Sequence, residues 1–249
     1  MSVDEIGRAF SEQRDLREKI DLWRSHRAEL AKRNAGPTPL ASRVTMLFHV
    51  IPVSAFNRGV LRESWNIPPQ ERFKIYVPHG ATNYRYNGDG FLATAQVGAE
   101  PVAFGYTQLF RFGSTEYADS QCYLQPFAGT KEMILGVDLE RQMVKCYEDA
   151  ITRLRNFGLS GGLYVGFSLI GIADKAFYST PMRVATGRQD IIRDDIFTSP
   201  EVLVDIGESA SYPYSATLLP LVDTMWQVAG LEGTPFKSGE TWDPFRELR

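Results

Sequence analysis

A chain of 249 residues with 43% hydrophobic and 23% charged side chains is long enough to bury a core without staples, and it is neither disordered nor fibrous in composition. Cys122 and Cys146 stand too far apart for a CxxC pair, which excludes a disulfide framework and a clustered zinc site and fits free thiols in a reducing compartment. A net charge of −3 argues against nucleic acid as the principal ligand, because phosphate neutralisation supplies much of that affinity; no apolar run reaches the ~20 residues that span a bilayer, so a cytoplasmic protein with no membrane partner is expected.

In chain order, the first predicted element is one long helix from Val3 to about Asn34, dense in good helix formers and nearly neutral in charge. Its apolar stripe is thin: Ile6, Phe10, Leu16, Ile20, Trp23 and Leu30. At ~1.5 Å per residue such a helix runs about 48 Å, more than a compact domain needs. Phe10, Leu16, Ile20 and Trp23 are therefore candidate partner-binding residues, through which the chain would self-associate or hold a second protein. Gly36-Pro37-Thr38-Pro39 stops the helix and divides residues 1–36, a linker or partner-binding helix, from residues 37–249, a single α+β domain.

From Arg43 the period changes to that of a central strand, apolar on both faces through Ile51. Asn66 to Gln70 reads as loop. Strands follow at Tyr84–Tyr86, Phe91–Val97, Ala103–Phe112 and Glu116–Leu124, the first two joined by the turn Asn87-Gly88-Asp89-Gly90. This is an antiparallel meander. Asp138 is placed to cap a helix reaching Phe157, with Leu139, Met143, Tyr147, Ile151 and Leu154 in one stripe and Gly158 as its stop. Gly162–Ile172 predicts a second central strand and Val202–Ile206 a short one. A last helix is expected over Ala216–Ala229, with Pro220 tolerable only in its first turn. The fold class is α+β: a mostly antiparallel central sheet with the long N-terminal helix and two further helices packed on it.

Phosphate-loop, dinucleotide-binding, metalloprotease and calcium-loop motifs are absent from the sequence. Gly166-Phe167-Ser168-Leu169-Ile170-Gly171 misses the nucleophile-elbow spacing and puts Ser168 inside a strand. No catalytic residue, cofactor or metal is expected. The three histidines, His26, His49 and His79, lack metal-ligand spacing, and His49 in an apolar strand reads as a core or lining residue. Asp190, Asp194, Asp195 and Glu201 form the densest carboxylate group; with Arg188 and Arg193 interleaved they read as a solvated loop, the alternative being a Mg²⁺ site of a nuclease. The aromatic meander has two readings. Facing a helix its rings are core; exposed beside Arg85 and Arg111 they would stack bases, making Arg85, Tyr86, Tyr106 and Arg111 candidate nucleic-acid contacts.

Several runs resemble the region C-terminal to the Schlafen-type AlbA-like DNA-binding domain of bacterial proteins. They are Leu47-Phe48-His49-Val50-Ile51-Pro52-Val53-Ser54-Ala55-Phe56, Asn87-Gly88-Asp89-Gly90-Phe91-Leu92, Tyr106-Thr107-Gln108-Leu109-Phe110-Arg111-Phe112-Gly113, Arg193-Asp194-Asp195-Ile196-Phe197 and Pro200-Glu201-Val202. Trp23-Arg24-Ser25-His26-Arg27 resembles the segment that links the AlbA-like domain to that region. The AlbA-like domain itself, which carries the family's nucleic-acid chemistry, is not in this sequence. The resemblance therefore implies a sensing or protein-interaction module, with antiviral defence as its setting. It is either part of a longer protein or an accessory half standing alone.

Overall fold

The computed structural model describes residues 3–56, 67–96, 98, 101–121, 124–125, 133–159, 161–178, 192–206, 214–238 and 241–245. It shows an α+β fold built on an eight-stranded antiparallel sheet. The strands are β1 (Thr45–Pro52), β2 (Asn83–Tyr86), β3 (Gly90–Gln96), β4 (Ala103–Phe110), β5 (Thr115–Asp119), β8 (Gly162–Ile170), β10 (Ile196–Thr198) and β11 (Val202–Asp205), in the order β10-β8-β1-β5-β4-β3-β2, with β11 also paired to β8. The predicted meander is β2 to β5, in which each strand pairs with the next. β1 and β8 are central, and β1 is buried along its whole length. That is why neither shows the alternation of a half-exposed strand.

Helices cover both faces. On one lie α3 (Gly136–Asn156) and α4 (Tyr214–Val228), whose Leu139, Met143, Leu154, Leu221 and Met225 meet Met46, Phe48, Val165 and Phe167 of β1 and β8 in the main core. On the other lies α1 (Val3–Lys32). Its Ile20 packs with Ile51 and Tyr164, and its Ala28 with Leu47, Tyr106 and Ile170. Two small sheets flank this body: β6 (Leu124–Gln125), β7 (Met133–Leu135) and β9 (Ala176–Tyr178) in one, β12 (Lys237–Ser238) and β13 (Thr241–Trp242) in the other. Among the described residues no helix is long and apolar enough to cross a membrane.

Local chemistry corrects several sequence expectations. α1 is terminated by Asn34, not by the Gly-Pro run: Asn34 adopts φ 54°, the Ala35 N–H donates to the Leu30 carbonyl, and Asn34 Oδ1 accepts the Leu40 N–H at 2.7 Å. That is a left-handed helix stop, a conformation asparagine tolerates well. Asp138 lies inside the first turn of α3, which starts at Gly136 without a side-chain cap. The same start lets Trp226 approach, since a Cβ on Gly136 would stand 2.2 Å from its ring. Pro220 lies beyond the first turn of α4. Pro69–Arg72, expected within or beside a loop, is a short helix, α2.

Candidate functional site

Among the described residues three buried polar clusters punctuate the core, one of them beneath α1. Strand register brings Glu116 of β5, His49 of β1 and Gly166 of β8 into one row across the sheet, facing α1. Glu116 is inaccessible to solvent yet accepts four hydrogen bonds: from Arg27 Nε at 2.8 Å, Arg27 Nη2 at 2.6 Å, His49 Nε2 at 2.8 Å and the Tyr106 hydroxyl at 2.7 Å. A carboxylate has about four acceptor positions, so this one is saturated. Burial alone would raise its pKa; the charge and hydrogen bonds of Arg27, with the His49 bond, outweigh burial and hold Glu116 well below the usual carboxylate range. Burial likewise pushes His49 down against the pull of Glu116, so the imidazole is neutral and Nε2–H donates.

One helical turn away, Arg24 is 1% exposed. Its Nη2 donates to the Phe167 carbonyl at 3.0 Å and to Ser199 Oγ at 3.3 Å, and Nη1 faces Glu201 at 3.8 Å. The guanidinium lies directly on Gly166, where a Cβ would come within 2.7 Å of Nη2. Trp23 completes the dock, edge-on to His49 at 5.0 Å and to Phe110 at 5.2 Å.

On the opposite face Asp149 and Arg153 of α3 form an ion pair that closes over Tyr117. The Tyr117 hydroxyl donates to Asp149 Oδ2 at 2.5 Å and accepts from Arg153 Nη2 at 2.7 Å, while the Tyr76 N–H donates to Asp149 Oδ1 at 3.1 Å. Burial pushes the neighbouring Cys146 thiol well up, leaving it protonated and inert. The third cluster surrounds Glu140, whose oxygens accept the Trp226 indole N–H at 2.5 Å, the Thr234 hydroxyl at 2.6 Å and the Trp242 indole N–H at 2.7 Å. All three donors are neutral; burial therefore prevails and the Glu140 pKa is raised.

Among the described residues, hollows open over the α3 face. One, of about 480 Å³, is lined by residues including Ile67, Glu71, Asp149, Arg153 and Phe157. Another, of about 630 Å³, is lined by residues including Phe73, Tyr84, His79, Gln142 and Lys145, and the two share Lys74 and Ile75. At its wall His79 Nε2 donates to Asp119 Oδ1 at 2.8 Å, with Asp119 fully buried and His79 held at φ 68°.

The partner-binding candidates divide. Ile20 is fully buried and closes the protein's own core, so it is not available to a second chain; Trp23 is half-buried, docked edge-on to His49 and Phe110. Leu16 is half-buried beside them, and Phe10 lies outside the described side chains. The nucleic-acid candidates also separate. Tyr106 is buried against Glu116, not exposed to stack a base. Arg85 and Tyr86, adjacent on β2, point to opposite faces. Arg85 reaches the Pro37 carbonyl at 3.1 Å, while Tyr86 lies under the Arg72 guanidinium at 5.5 Å. Arg111 is exposed and clasps the Asn87 and Gly88 carbonyls of the β2–β3 turn. Of the carboxylates, Asp195 pairs with Lys32 at 2.9 Å and Glu201 with Arg17 at 3.7 Å as well as Arg24; Asp194 is exposed, and Asp190 lies outside the described residues. Asp195 and Glu201 thus tie the β10–β11 edge to α1. No group of three or more metal-binding side chains is present among the described residues.

Glu116, Glu140 and the Asp149–Arg153 pair carried no recognisable motif. Arg24 and Arg27 did leave a trace, since they fall four and seven residues after Ile20, on the docking stripe itself. Searches against family models, curated proteins and solved structures gave no match.

Proposed function

We propose that this chain is a non-catalytic sensing and protein-interaction module, of the kind that follows the AlbA-like domain in Schlafen-type bacterial proteins, with antiviral defence as its setting. The observation that carries this reading is the attachment of α1. Arg24 and Arg27 are sunk into the sheet beneath it and tie helix to sheet, while Leu22 on the outer face of α1 is 72% exposed. A rigid helix with an apolar outer residue suits a module that presents itself to a partner and holds it in fixed orientation to the sheet. The resemblance of the Trp23–Arg27 run to an interdomain segment supports the same assignment.

Light scattering on the whole chain and on Leu22→Glu tests it. Assembly that the substitution dissolves is expected; a monomer in both overturns self-association through α1. The second reading, a nucleic-acid accessory module, predicts binding of labelled single strands that weakens steeply with salt. It ranks lower because its four residues do not share a surface. A metal-dependent nuclease ranks third, since two of its carboxylates are already neutralised by bases of α1.

A further inference from the structure

We propose that the hollow between Phe73, His79 and Lys145 binds a mononucleotide, its phosphate against Lys145, its ribose at His79 and its base on Phe73. This deepens the sensing reading by naming a ligand class, and it rests on that reading. The first argument is charge. Among the described residues that line this hollow the charged side chains are Lys74 and Lys145, and no carboxylate is among them. Lys74 is shared with Glu71 at 2.8 Å; Lys145 is exposed and makes no ion pair among the described residues. Lys145 is thus an uncompensated cation on a concave wall, which favours an anion, and phosphate is the common biological anion matched to lysine.

The second argument is positioning. The buried Asp119 carboxylate accepts from His79 Nε2–H and fixes the ring, which leaves Nδ1 as an acceptor matched to a ribose hydroxyl; the left-handed backbone at residue 79 holds the imidazole on the wall. The third is the aromatic rim. Phe73 is 73% exposed, and Tyr84 meets it edge-on at 5.4 Å, so a ring face is left open to solvent. Stacking a flat base there buries apolar surface that the fold leaves bare. A volume of about 630 Å³ lies in the range of small-molecule sites.

Titration calorimetry of the whole chain with AMP, UMP, ribose 5-phosphate and inorganic phosphate tests this. At least one nucleotide is expected to bind more tightly than about 1 mM and about tenfold more tightly than inorganic phosphate. Lys145→Glu should weaken every ligand about tenfold, and Phe73→Ala should weaken the nucleotide about fivefold while leaving ribose 5-phosphate unchanged. Both side chains are exposed, so folding is preserved. Failure of both nucleotides to bind, or affinities within about twofold of the parent in both variants, overturns the proposal. Assembly through α1 without nucleotide binding overturns this inference alone; nucleotide binding by a monomeric chain supports it and removes only the assembly.

Discussion

Glu116 shows how one buried anion organises an interface. Two side chains of one carboxylate-centred cluster are ionised, Glu116 and Arg27, and removing one strands the other. Glu116→Ala should therefore cost about 3–5 kcal/mol in urea unfolding. Replacing the pair together, Arg27→Met with Glu116→Leu, should recover only part of that loss: no buried charge is left unmatched, but the His49 Nε2–H and the Tyr106 hydroxyl lose their acceptor. Gly166 makes a second test. Its missing side chain is the floor on which the Arg24 guanidinium lies, so Gly166→Ala should cost about 1–3 kcal/mol, by overpacking. In an Arg24→Met background the cost should shrink, since a flexible thioether yields where a planar cation does not; a double-mutant cycle reads the difference.

At the level of elements, α1 is defined by its end as much as by its docked face. Asn34 supplies both a left-handed residue and an acceptor for the Leu40 N–H, which turns the chain from helix toward β1. Asn34→Gly keeps the backbone freedom and loses the acceptor, whereas Asn34→Ala loses both. Thermal unfolding should rank parent above Gly above Ala, with the alanine variant about 1–2 kcal/mol below the parent. The β10–β11 edge depends on the same helix, because Asp195 and Glu201 pair with Lys32, Arg17 and Arg24. Of the partner residues expected on α1, Ile20 is committed within the chain, while Leu16 and Trp23 are half-buried against it.

Among the described residues, two buried carboxylates, Glu116 and Glu140, titrate with opposite sign. Glu116 has a folded pKa below its unfolded value, so its contribution is present above about pH 4.3 and is lost as pH falls through the folded value. Glu140 has a raised folded pKa, so its contribution is present below about pH 4.3 and is lost as pH rises through the folded value. Glu116→Gln should therefore fall further behind the parent as pH rises across the acid range, and Glu140→Gln should gain on it; unfolding midpoints measured between about pH 3 and about pH 7 would show the two trends diverge. The amino-acid pattern by itself determined the α+β class, the β2–β5 meander, the two central strands and the buried stripe of α3, because burial and period are written residue by residue along an element. Only the tertiary structure decided what α1 does. Arg24 and Arg27 look solvated in a charged helix, and Glu116 looks like an ordinary strand carboxylate; they become a lock when strands distant in sequence set Glu116, His49 and Gly166 in one row. Long-range register of that kind leaves no local periodicity to read.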